Sequence, residues 1–97
     1  KAIKFKTNYA EPYHNLSITL NNCGKFDEAE ANSRKAIELK PDYVDAYNNL
    51  GNVLKNLTKF DEAEANYRKA IELKPDYVDA YNNLGNALND LNRFDEA

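Results

Sequence analysis

The sequence predicts an all-α protein, a solenoid of stacked antiparallel helix hairpins, and three observations predict it. The first is repetition: shifted by 34 residues, Ala29 to Glu62 falls on Ala63 to Glu96 with 28 of 34 positions identical, and Lys1 to Glu28 falls on Lys35 to Glu62 without a gap. The second is periodicity. Tyr47, Leu50, Gly51, Leu54 and Leu57 recur at helical spacing, as do Ala63, Tyr67, Ala70 and Ile71 after a short polar break. The third is punctuation: Pro41 and Pro75 stand at equivalent places, and proline disfavours a helical conformation in the residue before it, so each closes a second helix. A single hairpin cannot cover its apolar face, so hairpins must stack.

In chain order, the pattern places helices at about residues 9–22, 26–39, 43–57, 60–73 and 77–91, with stubs at 1–5 and 94–97. The whole chain is one array, in which residues 1–9 end a preceding unit, 10–43 form unit 1, 44–77 unit 2 and 78–97 part of unit 3. Asp42 and Asp45 stand in the relation of an N-cap and the third helical residue, and Asp61 and Glu62 put negative charge in the first turn of the helix they begin. Gly51 and Gly85 in mid-helix cost about 1 kcal/mol each against alanine, so a neighbouring helix is expected to approach closely there, with Ala63 the residue that meets Gly51. Ser33 replaces the aromatic Tyr67 of the next unit and reads as an underpacked site that Ser33→Tyr would stabilise. Both ends fall inside helices, which reads as a segment of a longer array; the apolar faces left there lead to an expectation of head-to-tail self-association.

Composition narrows function by exclusion. A net charge of -3, with lysines and acids interspersed, offers no basic field for nucleic acid or an anionic membrane surface. No apolar run is long enough to span a bilayer, and KAIKFK at the start leads into polar residues. Cys23 is alone, so it forms no internal disulfide and no cysteine metal site, and a cytoplasmic location is expected. His14 and Cys23 lie at different angles on one helix without an orienting third group, and neither a glycine-rich phosphate cradle nor an EF-hand spacing occurs. The sequence thus points to a protein that is not an enzyme and carries no cofactor or metal.

Tyr47-x-x-Leu50-Gly51-x-x-Leu54, then Ala63-x-x-x-Tyr67, then Pro75 resembles the tetratricopeptide repeat (TPR) pattern over essentially the entire chain. Unit 1 departs from it, with Ser17 for the glycine, Pro12 in the first turn and Ser33 for the later aromatic. The resemblance implies a right-handed superhelix whose first helices line a concave groove. Removing the buried face of those helices leaves Asn48, Asn49 and Asn52 in unit 2, and Asn82, Asn83 and Asn86 in unit 3. Unit 1 offers His14, Asn15 and Ile18 at the same places.

Asn15, Asn49 and Asn83 recur at the full 34-residue period, and a primary amide can pair bidentately with a peptide unit without reading its side chain. This resembles the asparagine ladder of TPR superhelices such as that of O-linked N-acetylglucosamine transferase; the alternative is a merely solvated polar face. The lysines and arginines of the two-carboxylate clamp are missing, and Glu11, Asp45, Asp79 and Asp90 bias the groove toward neutral or basic peptides. Three functions follow: an interaction module for an extended peptide, the substrate-targeting arm of a larger enzyme, or a repeat scaffold without a cognate ligand.

Overall fold

The computed structural model describes the backbone of residues 2–96 and the side chains of residues 9–92. Five helices follow one another: α1 Ala2–Asn22, α2 Phe26–Leu39, α3 Val44–Asn56, α4 Phe60–Leu73 and α5 Val78–Glu96. Each packs on its sequence neighbours, and α3 also touches both α1 and α5. The first helices of successive units therefore lie side by side along an elongated body of 51 × 30 × 16 Å. This is the TPR arrangement expected from the period.

Alanines make the close contacts between helices. Ala29 and Ala63, Ala36 and Ala70, and Ala46 and Ala80 are equivalent pairs, and all six are fully buried. Larger side chains fill the space between them: Leu50, Leu54, Tyr67 and Leu84 form the core with Ala63 and Ala87, and Ile37, Ile71 and Leu88 pack against it. Each fully buried leucine stabilises the fold by about 1.5–3 kcal/mol relative to exposure. Leu16 of α1 and Tyr81 of α5 lie outside this core, about half exposed.

Helices α2 and α4 occupy the residues read from the sequence, but α1 and α5 are longer. No break separates residues 2–5 of the expected first stub from 9–22, and Lys1 lies outside the described residues; Thr7 stands where Pro41 and Pro75 stand in the later units, and threonine leaves the preceding residue free to be helical. Pro12 sits inside α1 and donates no backbone hydrogen bond there. At the other end α5 runs through Asn92 to Glu96 instead of turning before a stub at 94–97.

The reversals after α1 and α3 show what such a turn needs. Gly24 has φ 81° and Thr58, its equivalent, φ 61°, both in the left-handed region. Lys25 N–H donates to Leu20 C=O at 2.9 Å and Lys59 N–H to Leu54 C=O at 2.8 Å, the long hydrogen bonds of a Schellman motif. Glycine takes this conformation without penalty, whereas β-branched threonine is strained by about 1–2 kcal/mol. Thr58→Gly should therefore raise stability by about 1 kcal/mol, read as a higher urea midpoint with an unchanged slope.

Asp42 does not cap α3. It lies inside the turn closed by Tyr43 N–H to Lys40 C=O at 3.1 Å, one residue too early, and Tyr43 is the N-cap without a side-chain cap bond. Asp45 instead accepts a hydrogen bond from the Tyr77 hydroxyl at 2.7 Å, which ties the start of α3 to the turn before α5.

The atoms nearest to the missing side chain of Gly51 are those of the Tyr67 ring, and Ala63 belongs to the same buried cluster. A methyl group on Gly51 would fall 2.5–2.8 Å from three ring atoms, and Tyr67 is fully buried with its hydroxyl donating to Asn52 Oδ1. Unit 1 solves the same contact differently. Ser17 and Ser33, at the places of Gly51 and Tyr67, are both fully buried and hydrogen-bonded to each other. Ser17 gives its one proton to Ala29 C=O at 2.8 Å, so Ser33 must donate to Ser17. Asn49 Nδ2 completes the set, donating to Ser17 Oγ at 2.8 Å and Ser33 Oγ at 2.9 Å. Ser33 is thus a satisfied buried group, and the expectation that Ser33→Tyr would stabilise is reversed.

Candidate functional site

The side-by-side first helices enclose a pocket of about 310 Å³ at the seam of units 1 and 2. Helix α1 supplies His14, Ile18, Asn21 and Asn22; α3 supplies Asp45, Asn48, Asn49 and Asn52 from one face. Tyr77 arrives from the turn before α5, held by Asp45. Sequence reasoning missed Tyr77, although a signal exists: an acid followed by a tyrosine 32 residues later recurs as Glu11 with Tyr43 and Asp45 with Tyr77.

Five of the nine expected groove residues come together here: His14, Ile18, Asn48, Asn49 and Asn52. Asn15, Asn82, Asn83 and Asn86 do not line it; Asn83 is half-buried and the other three are exposed. The amides are occupied in distinct ways. Asn83 Nδ2 donates to Asn48 Oδ1 at 3.0 Å, linking unit 3 to unit 2, and Asn56 Nδ2 donates to Asn21 Oδ1 at 3.0 Å, linking unit 2 to unit 1. Asn49 spends both its N–H groups on Ser17 and Ser33. Much of the carboxamide surface therefore joins units, which explains why asparagine, a mediocre helix former, is tolerated in mid-helix. Asn49→Ala would leave two buried serines short of a donor.

His14 is 8 % exposed, its ring centroid lies 4.9 Å from that of Tyr43, and its Nδ1 is buried without a hydrogen-bond partner. Burial holds its pKa below the usual 6.5 despite the opposing pull of Asp45 and Glu11. The unfolded chain then binds more protons than the folded one just below 6.5, so this contribution to stability is present above 6.5 and is lost as pH falls toward the lower folded value. Glu30 acts in a more acid window: partial burial raises its pKa, but Arg34 and Lys59 outweigh that and pull it below 4.5. His14→Gln should flatten the decline of urea midpoint that begins as pH falls below 6.5 and leave the more acid decline in place.

Among the described residues no cluster of histidine, cysteine, aspartate or glutamate could hold a metal ion, and no helix is long and apolar enough to cross a membrane. What the geometry defines is a helical-repeat scaffold with a polar groove on the side of its first helices. The chain belongs to the TPR repeat family, whose model matches residues 19–57 and 59–92. Among solved structures it is similar to the second TPR domain of human RPAP3, determined by NMR in complex with the HSP70 peptide SGPTIEEVD. The TM-score is 0.78 and the identity 26 %, over 80 % of this chain and 65 % of that one. The Arabidopsis OM64 TPR domain shares the fold with a TM-score of 0.87 at 23 % identity, over 94 % of this chain and 75 % of that one. No curated protein sequence matches.

Proposed function

We propose that this chain is an interaction module that holds an extended protein segment in the groove of its first helices, and that the segment is neutral to basic. One observation carries the reading: a pocket lined by five asparagines, His14 and Asp45 contains no lysine or arginine. Carboxamides can grip peptide groups, and outside the pocket Asn15 is exposed while Asn83 is half-buried on Asn48. The likeness to an RPAP3 domain determined with a bound peptide supports the use of the groove, although the HSP70 peptide there ends in acidic residues. A pocket whose one formal charge is the Asp45 carboxylate repels such an end.

A peptide array of neutral, basic and acidic extended sequences, followed by fluorescence anisotropy on the strongest spots, tests this. Neutral or basic peptides should bind and SGPTIEEVD should bind more weakly; Asn48→Ala should weaken the best peptide roughly three- to tenfold while the melting curve stays cooperative. Strongest binding by acidic peptides, or no binding to the array at all, would overturn it.

A further inference from the structure

We propose that the pocket between units 1 and 2 is a subsite for one arginine side chain of the bound segment, an inference that rests on the groove reading above. The lining is mixed: Asn21, Asn48 and Asn52 already accept through their carbonyl oxygens from Asn56, Asn83 and Tyr67, and acceptor capacity remains on Asp45 and Asn49. Tyr77 gives its hydroxyl proton to Asp45, and Asn49 gives both N–H groups to Ser17 and Ser33, so Asn49 can offer a ligand only its carbonyl oxygen. Asp45 accepts one hydrogen bond, from Tyr77, and a carboxylate has room for about three more.

His14 lines the same pocket and is 8 % exposed. Its depressed pKa keeps the imidazole neutral near pH 7, so it adds no charge that would repel a cation.

The Asp45 carboxylate, with no lysine or arginine beside it in the lining, favours a group that donates hydrogen bonds and carries positive charge. Guanidinium has five N–H donors in a planar fork and no acceptor, and it is more weakly hydrated than ammonium. Its methylene stem can lie along Ile18, which is 38 % exposed at the same pocket. Lys40 and Lys74 stand over the rings of Tyr43 and Tyr77, at 4.8 and 5.4 Å from their centroids, and neither lines the pocket. The negative charges that act on His14, those of Asp45 and Glu11, come from both helices that form the walls.

The test titrates the isotope-labelled chain, at millimolar peptide, with blocked nonapeptides of alanine, serine and glycine that carry one central arginine, citrulline, lysine or glutamate. The arginine peptide should shift the side-chain amide signals of Asn48, Asn49 and Asn52 and bind roughly tenfold tighter than its uncharged citrulline twin. Lysine should fall between them, and glutamate should give no shift. Asp45→Asn keeps an acceptor for Tyr77 and should reduce the arginine preference to about twofold with the thermal midpoint little changed. Equal binding of arginine and citrulline, equal binding of arginine and lysine, an undiminished preference in Asp45→Asn, or no shift with the arginine peptide would each overturn the subsite. Those results leave the groove reading to be decided by the array, which contains peptides without arginine.

Discussion

Ser33→Tyr is expected to destabilise the chain by on the order of 3 kcal/mol, although it restores the aromatic of the repeat pattern. Ser33 is fully buried, and Ser17 occupies the place of Gly51, where in unit 2 even a bare Cβ would lie 2.5 Å from the tyrosine ring. The new ring would collide with Ser17, and Asn49 would lose an acceptor. Its hydroxyl would also lack a partner, because Ile18 stands where Asn52 accepts from Tyr67. Three positions have therefore changed together, Gly51, Asn52 and Tyr67 in unit 2 against Ser17, Ile18 and Ser33 in unit 1. The triple variant Ser17→Gly, Ile18→Asn, Ser33→Tyr should recover stability to within about 1 kcal/mol of the parent. In it Asn49 would donate to His14 Nδ1, as Asn83 donates to Asn48 at the equivalent place. Urea melts of the single and triple variants decide the matter. A stable Ser33→Tyr, or a triple variant no better than the single one, would show that the two serines are not a unit.

The same comparison marks what the sequence could disclose. Unit length, helix count and the extents of α2 and α4 were legible because each rests on a periodic signal, namely identity at 34 residues, apolar spacing and a closing proline. Where one of these signals is missing the reading slipped, as at Thr7, where no proline stands and α1 runs on. The polar groove was legible as a set of residue types, and five of its expected members do share a pocket. Which amides remain available was not legible, since that depends on side-chain rotamers meeting across neighbouring units, as when Asn49 reaches Ser17 and Asn56 reaches Asn21. Equivalent asparagines consequently look identical in sequence and differ in role. Asn49 holds two buried serines, whereas Asn83 holds another asparagine and Asn15 is exposed.

Gly51→Ala and Gly85→Ala, the same substitution at equivalent positions, should change stability in opposite directions. Helix propensity favours alanine at both by up to about 1 kcal/mol. Among the described residues nothing lies within 4 Å of a methyl group added at Gly85, so the propensity gain should appear nearly whole. At Gly51 the methyl group would press on three atoms of the Tyr67 ring, at 2.5, 2.7 and 2.8 Å. The ring cannot step aside cheaply: it is fully buried, packed among Leu50, Leu54 and Ala63, and tied through its hydroxyl to Asn52. Moving it disturbs the core that α3 and α4 share, and overpacking of this kind costs about 1–3 kcal/mol, enough to outweigh the propensity gain. Adding Tyr67→Leu to Gly51→Ala should return part of the loss, because a smaller side chain clears the methyl group while keeping apolar contact. Thermal melts would show Gly85→Ala above the parent and Gly51→Ala below it. A Gly51→Ala midpoint equal to that of Gly85→Ala would mean that the ring shifts freely, and that close packing on Tyr67 is not what holds glycine in α3.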